Sequence, residues 1–268
     1  MEIAPLIHSR TLHCDFNPNF AVRADDVDVN WAMKKILLAT ADVDILNGVR
    51  RLVASNGKIC IAGVACNLRF FAEKYLTDSD AKNYFHDERG REIKIFLGYS
   101  FKGGNKNEIP DVDYSTLWKM FKENLAPVWE SPTAETVNVN YKTCATKNIS
   151  SGINFVESNE NNDEKIFEIC LGSRKNLCTN ADQMKIINSG EFEVISTTSS
   201  LINRFKSESE KKTSTVQSTH KVQESTQKFK QKNAQPLPKS NNQKKSPTGL
   251  IVGAVILIIL AVVFLLIK

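Results

Sequence analysis

A chain of 268 residues, 41% hydrophobic and 24% charged, has the make-up of a globular protein with room for one large domain or two modest ones. Its net charge of +5 would suit a nucleic-acid binder, yet Arg204 to Pro247 alone holds 11 Lys or Arg against 3 Glu. Residues 1–203 are left with a net charge of −4, which argues against nucleic acid as a partner of the folded part.

In chain order, residues 1–24 read as irregular, with a turn around Pro18 in CDFNPNF. His8, His13, Cys14 and Asp15 carry zinc-ligating atoms, but no CxxC or HxxxH spacing accompanies them, so no metal is expected. The segment 29–39 (VNWAMKKILLA) predicts a helix with Ala32, Met33, Ile36 and Leu37 facing inward. VRRLVA and KICIAGVA flank Ser55-Asn56-Gly57, and Asn-Gly between two apolar runs predicts a hairpin.

Asn67 is placed to cap a helix whose Leu68, Phe71, Ala72, Tyr75 and Leu76 recur at helical spacing. The passage IAGVACN at 61–67 leads from strand to helix, as phosphate loops do. With Gly63 its lone glycine and no GK[ST] in the chain, it reads as a buried strand turning into a packed helix. Residues 86–91 (HDERGR) concentrate charge before a strand, where a solvated turn is the ordinary outcome. His86, Arg89 and Arg91 within it are candidate contacts for a small anionic ligand, and Arg50, Arg51 and Arg69 form a second candidate set.

EIKIFLGY at 92–99 alternates, which predicts a strand with Ile93, Ile95, Leu97 and Tyr99 on one face. Gly103 and Gly104 open a loop. Asp113 then caps a helix bearing Leu117, Trp118, Phe121 and Leu125, which Pro127 ends. Beyond Ser131-Pro132 the runs TVNVNYKT, GINFV, KIFEICL and EFEVI read as short strands. The expected fold is an α/β or α+β domain with a mixed sheet over residues 1–203, divisible into an α/β part (1–130) and a strand-rich part (134–203).

The six cysteines (Cys14, Cys60, Cys66, Cys144, Cys170, Cys178) are expected to be free thiols in a reducing compartment, with Cys60, Cys144 and Cys170 in strand-like runs. No cofactor is expected.

Residues 204–248 are poor in apolar side chains and predict a disordered basic linker, whose ends would lie about 38 Å apart as a flexible coil. It lacks the heptad layers of a coiled coil. Residues 250–267 (LIVGAVILIILAVVFLLI) carry no polar side chain. As a helix they would span about 27 Å, enough to cross a bilayer. Lys239, Lys244 and Lys245 precede this run and predict a cytoplasmic N-terminal side with those lysines at the membrane surface. The expected localisation is therefore a tail anchor in a bacterial inner membrane or an ER-type membrane. Gly249 and Gly253 have the spacing of a helix–helix contact in the membrane.

These features suggest a tail-anchored sensor or adaptor whose partners are the bilayer and a protein, a second copy or a small anion. By architecture alone, the layout is that of a membrane-acting effector of a defence system. The rival expectation is a tethered hydrolase using HDERGR or a Cys–His pair.

Overall fold

The computed structural model describes residues 1–46, 48–105, 107–149 and 159–197. GINFV, the basic linker with Lys239, Lys244 and Lys245, and the apolar run with Gly249 and Gly253 lie outside the described residues. The chain divides into two units, Met1–Ser209 and Glu210–Lys268, and every described residue belongs to the first. Among the described residues no helix is long and apolar enough to cross a membrane.

The elements run β1 (Glu2–Ser9), β2 (Val22–Arg23), α1 (Val29–Ala39), β3 (Arg50–Ser55), β4 (Cys60–Asn67), α2 (Leu68–Tyr75) and β5 (Lys94–Lys102). There follow β6 (Glu108–Pro110), α3 (Tyr114–Asn124), β7 (Val137–Asn138), β8 (Lys142–Thr143), β9 (Thr146–Asn148) and α4 (Glu160–Ser173). The last described elements are β10 (Leu177–Cys178), α5 (Met184–Ile187) and β11 (Val194–Ile195).

The main sheet has the order β11-β10-β3-β4-β5-β1-β2-β7, with β8 also on β1, while β6 and β9 pair separately. Its centre, β3-β4-β5-β1, is antiparallel, and the pairs β10–β11 and β2–β7 are parallel. The fold is thus an α/β domain with a mixed sheet, and strands from both halves of the sequence enter that one sheet.

Short-range signals place much of this. Asp28, Asn67 and Asp113 each accept a backbone N–H of the first turn of α1, α2 and α3. The β3–β4 hairpin turns through Gly57, whose positive φ of 84° explains the Asn-Gly pair. Ile93, Ile95, Leu97 and Tyr99 share one side of the sheet, as expected, in a core with Phe71, Trp118 and Phe121. Phe96 lies in the opposite core with Leu6, Ile36 and Leu52. β5 is therefore buried on both faces, which only a sheet covered by helices on both sides allows.

Three expectations are corrected. Residues 2–9 form not irregular chain but a strand paired with β5 along its whole length. Pro5 fits there because β2 and β8 contact other parts of β1, leaving Pro5 beside a gap in the ladder. KIFEICL is helical: it lies in α4, capped by Asn159, so Cys170 sits on a helix. Ile166 and Cys170 stack at helical spacing and outweigh the local alternation. Leu37 of α1 is 53% exposed, and the buried stripe runs through Ala32, Lys35, Ile36 and Ala39 instead. Lys35 is buried because its ammonium reaches the carboxylate and carbonyl of Glu191.

His8 closes the end of β1. Its ring is 2% exposed, stacks on Phe16 at 4.8 Å, and among the described residues its Nδ1 has no hydrogen-bond partner. Burial pushes its pKa down to about 4 from an ordinary 6.5. A depressed folded pKa means that the unfolded chain takes up the proton first as pH falls. Stability is therefore lost from about pH 6.5 down to about pH 4. His8→Phe should flatten that acid limb in urea titrations repeated across this range. An unchanged pH slope would contradict the buried, neutral imidazole.

Candidate functional site

On the sheet face that carries α3 and α4 there is an open cleft of about 110 Å³. Val64 of β4 and Tyr99 of β5 line its sheet side, Ile109 and Pro110 come from β6, and Tyr114 and Leu117 from α3. The opposite wall is one stripe of α4: Glu164, Phe167, Glu168 and Leu171, at positions i, i+3, i+4 and i+7. Lys147 of β9 also lines the cleft, and its ammonium meets the Glu168 carboxylate at 2.6 Å. That hydrogen bond is the largest cause of a raised Lys147 pKa, so the Lys147 ammonium keeps its charge at neutral pH.

Arg51 enters this cleft from β3. Its side chain is 5% exposed, and its guanidinium lies 5.8 Å from the Tyr114 ring centre. Among the described residues the nearest carboxylate oxygen is Glu164 Oε2 at 3.8 Å, outside hydrogen-bond range. Among the described residues no acceptor hydrogen-bonds the Arg51 guanidinium; its backbone N–H alone is taken, by Thr179 Oγ1. Buried guanidinium groups ordinarily use most of their donors. The open end of the cleft is where an acceptor can enter.

Of the six residues singled out in the sequence, only Arg51 lines this cleft. Arg50, next in the strand, points to the other face, fully buried, and donates to the carbonyls of Ala39 and Ala41 (2.8 Å each) and of Asn180. Arg69 is exposed and pairs with Glu73 at 2.9 Å one turn along α2. His86 and Arg89 are exposed, and Arg91 is tied to Asp87 (2.6 Å) and Asp15 (3.0 Å).

HDERGR is organised around a buried carboxylate. Burial alone would raise the Asp87 carboxyl pKa. The backbone N–H groups of Arg91 and Arg89 and the Arg91 guanidinium outweigh that and hold it below the ordinary carboxylate range. Asp87 thus closes a turn rather than facing a substrate. In the N-terminal segment His13 pairs with Glu88 at 2.8 Å and Asp15 with Arg91. Among the described residues no group of three potential ligands gathers around a metal-sized space. Burial pushes the Cys60 and Cys178 thiols up to about 12 and Cys170 up to about 11, which keeps them protonated.

The fold and the site define an α/β domain with an apolar interhelical cleft over a buried arginine. No protein-family model, no curated protein and no solved structure matches this chain. Its own side chains carry the functional reading.

Proposed function

We propose that the N-terminal unit is a sensor module that binds a small organic ligand through an anionic group placed on Arg51, and that residues 250–267 hold this module at a bilayer. The observation that supports the reading is the Arg51 guanidinium, 5% exposed in its side chain, at an open cleft and, among the described residues, without a hydrogen-bond acceptor. A carboxylate or phosphate entering there gains charge-assisted hydrogen bonds in a site shielded from water. A cleft of about 110 Å³ is smaller than the cavity of about 150 Å³ that holds benzene, which favours a compact ligand over a dinucleotide.

α4 gives the module a route to report occupancy. One side of the helix lines the cleft, and its Asp163 accepts from Ser196 Oγ at 2.5 Å, at the end of the last described strand. In this reading, ligand seated against Glu164 and Phe167 biases α4 and, through Asp163, the point where the chain leaves toward its C-terminus. Gly249 and Gly253 would then bring two membrane helices together, with Lys239, Lys244 and Lys245 at the headgroups.

The test is a thermal-shift panel of small carboxylates, phosphates and amino acids on the full chain in detergent, run beside Arg51→Met. At least one compound should raise the wild-type midpoint saturably and leave Arg51→Met unmoved. Equal shifts in the two proteins would remove Arg51 from the site.

A further inference from the structure

We infer that the ligand of the Arg51 cleft is a zwitterion of the α-amino acid class with an apolar side chain; this rests on the anion-binding reading above. Arg51 Nη2 and Glu164 Oε2 face one another at 3.8 Å, each within reach of a ligand and too far apart to satisfy the other. An α-amino acid carries opposite charges on groups separated by a single carbon atom. Its carboxylate on Arg51 places its ammonium beside Glu164, converting one loose ion pair into two charge-assisted contacts.

The other acidic groups at the cleft are already engaged. The Glu168 carboxylate closes on Lys147 at 2.6 Å. Asp113 accepts from Thr116 N and Thr116 Oγ1, both at 2.7 Å, and from Ser115 Oγ, in its role as cap of α3. Glu164 is left as the acceptor for a cation, with its side chain 63% exposed and, among the described residues, only the long contact to Arg51 as an ion pair. It also disfavours a plain anion, because phosphate or a simple carboxylate on Arg51 would lie close to the Glu164 charge. The remaining walls, Val64, Ile109, Pro110, Val112 and Phe167, are apolar and suit a small aliphatic side chain.

Isothermal titration of the full chain in detergent with L-valine and L-leucine, against 3-methylbutanoate and 4-methylpentanoate, tests this. One amino acid should bind about tenfold or more tightly than its deaminated acid, the worth of one charged hydrogen bond. Glu164→Gln, at an exposed position, should abolish that preference, mainly by tightening the deaminated acid, because the repelling charge beside Arg51 is gone. Equal binding of amino acid and acid, or a preference untouched in Glu164→Gln, would overturn the zwitterion and leave the anion site standing. If neither probe class binds and the anion panel also fails to separate wild type from Arg51→Met, both readings fall together.

Discussion

Replacing Arg50 with methionine should destabilise the N-terminal unit by about 4 kcal/mol, measured as the loss of unfolding free energy in urea. The guanidinium is fully buried and spreads its donors over three carbonyls: Ala39 and Ala41 at the end of α1, and Asn180 just past β10. α1 has no basic residue in its last turn and no glycine cap, so Arg50 serves carbonyls that helix ends otherwise leave to side chains or water. Methionine fills similar space but leaves buried acceptors empty, at about 1–3 kcal/mol each. Arg50→Lys should recover only part of the loss, because a single ammonium cannot reproduce the fork. A methionine variant within about 1 kcal/mol of wild type would show that water replaces the guanidinium.

Gly98→Ala should have an effect of similar size, about 3 kcal/mol or more, read as a lowered thermal midpoint or as failure to accumulate folded protein. Gly98 of β5 faces Gly63 of β4 directly across the ladder. The Phe96 ring covers the pair, so a Cβ on Gly98 would meet that ring at 2.7 Å and also strike the carbonyl oxygen of Ala62. A Cβ on Gly63 would meet the Gly98 Cα at 2.5 Å and the Phe96 ring at 2.9 Å. Here the two glycines provide space rather than unusual dihedral angles: the sheet must pass beneath a buried aromatic ring. Phe96→Ala combined with Gly98→Ala should be less destabilising than the sum of the two changes, since removing the ring removes one of the clashes.

How much of this was legible in the sequence follows from which interactions are local. α1, α2 and α3 announce themselves through Asp28, Asn67 and Asp113 with apolar residues three and four positions apart, and the β3–β4 hairpin through Asn56-Gly57. β1 was hidden because both its faces are buried, so it lacks alternation, and because Pro5 argues against a strand unless its place in the ladder is known.

The site was half legible. Arg51 was among the candidates, but adjacent strand residues face opposite sides, so Arg50 and Arg51 could not share a site. Glu164, Phe167, Glu168 and Leu171 formed a visible helical stripe, masked by reading KIFEICL as a strand. Tyr114 and Lys147 reach the cleft through tertiary placement alone, which no local pattern encodes. Asp87 shows the converse: a conspicuous charged run, HDERGR, whose central carboxylate serves the fold.

The central claim, that Arg51 holds a small ligand, is tested most directly by native mass spectrometry of the full chain, released from detergent after purification and incubated with the strongest compound of the thermal-shift panel. Wild type should carry one bound molecule per chain, and Arg51→Met, folded to the same thermal midpoint in the absence of ligand, should carry none. Equal occupancy in the two proteins, or none in either, would contradict the assignment of this cleft as the binding site.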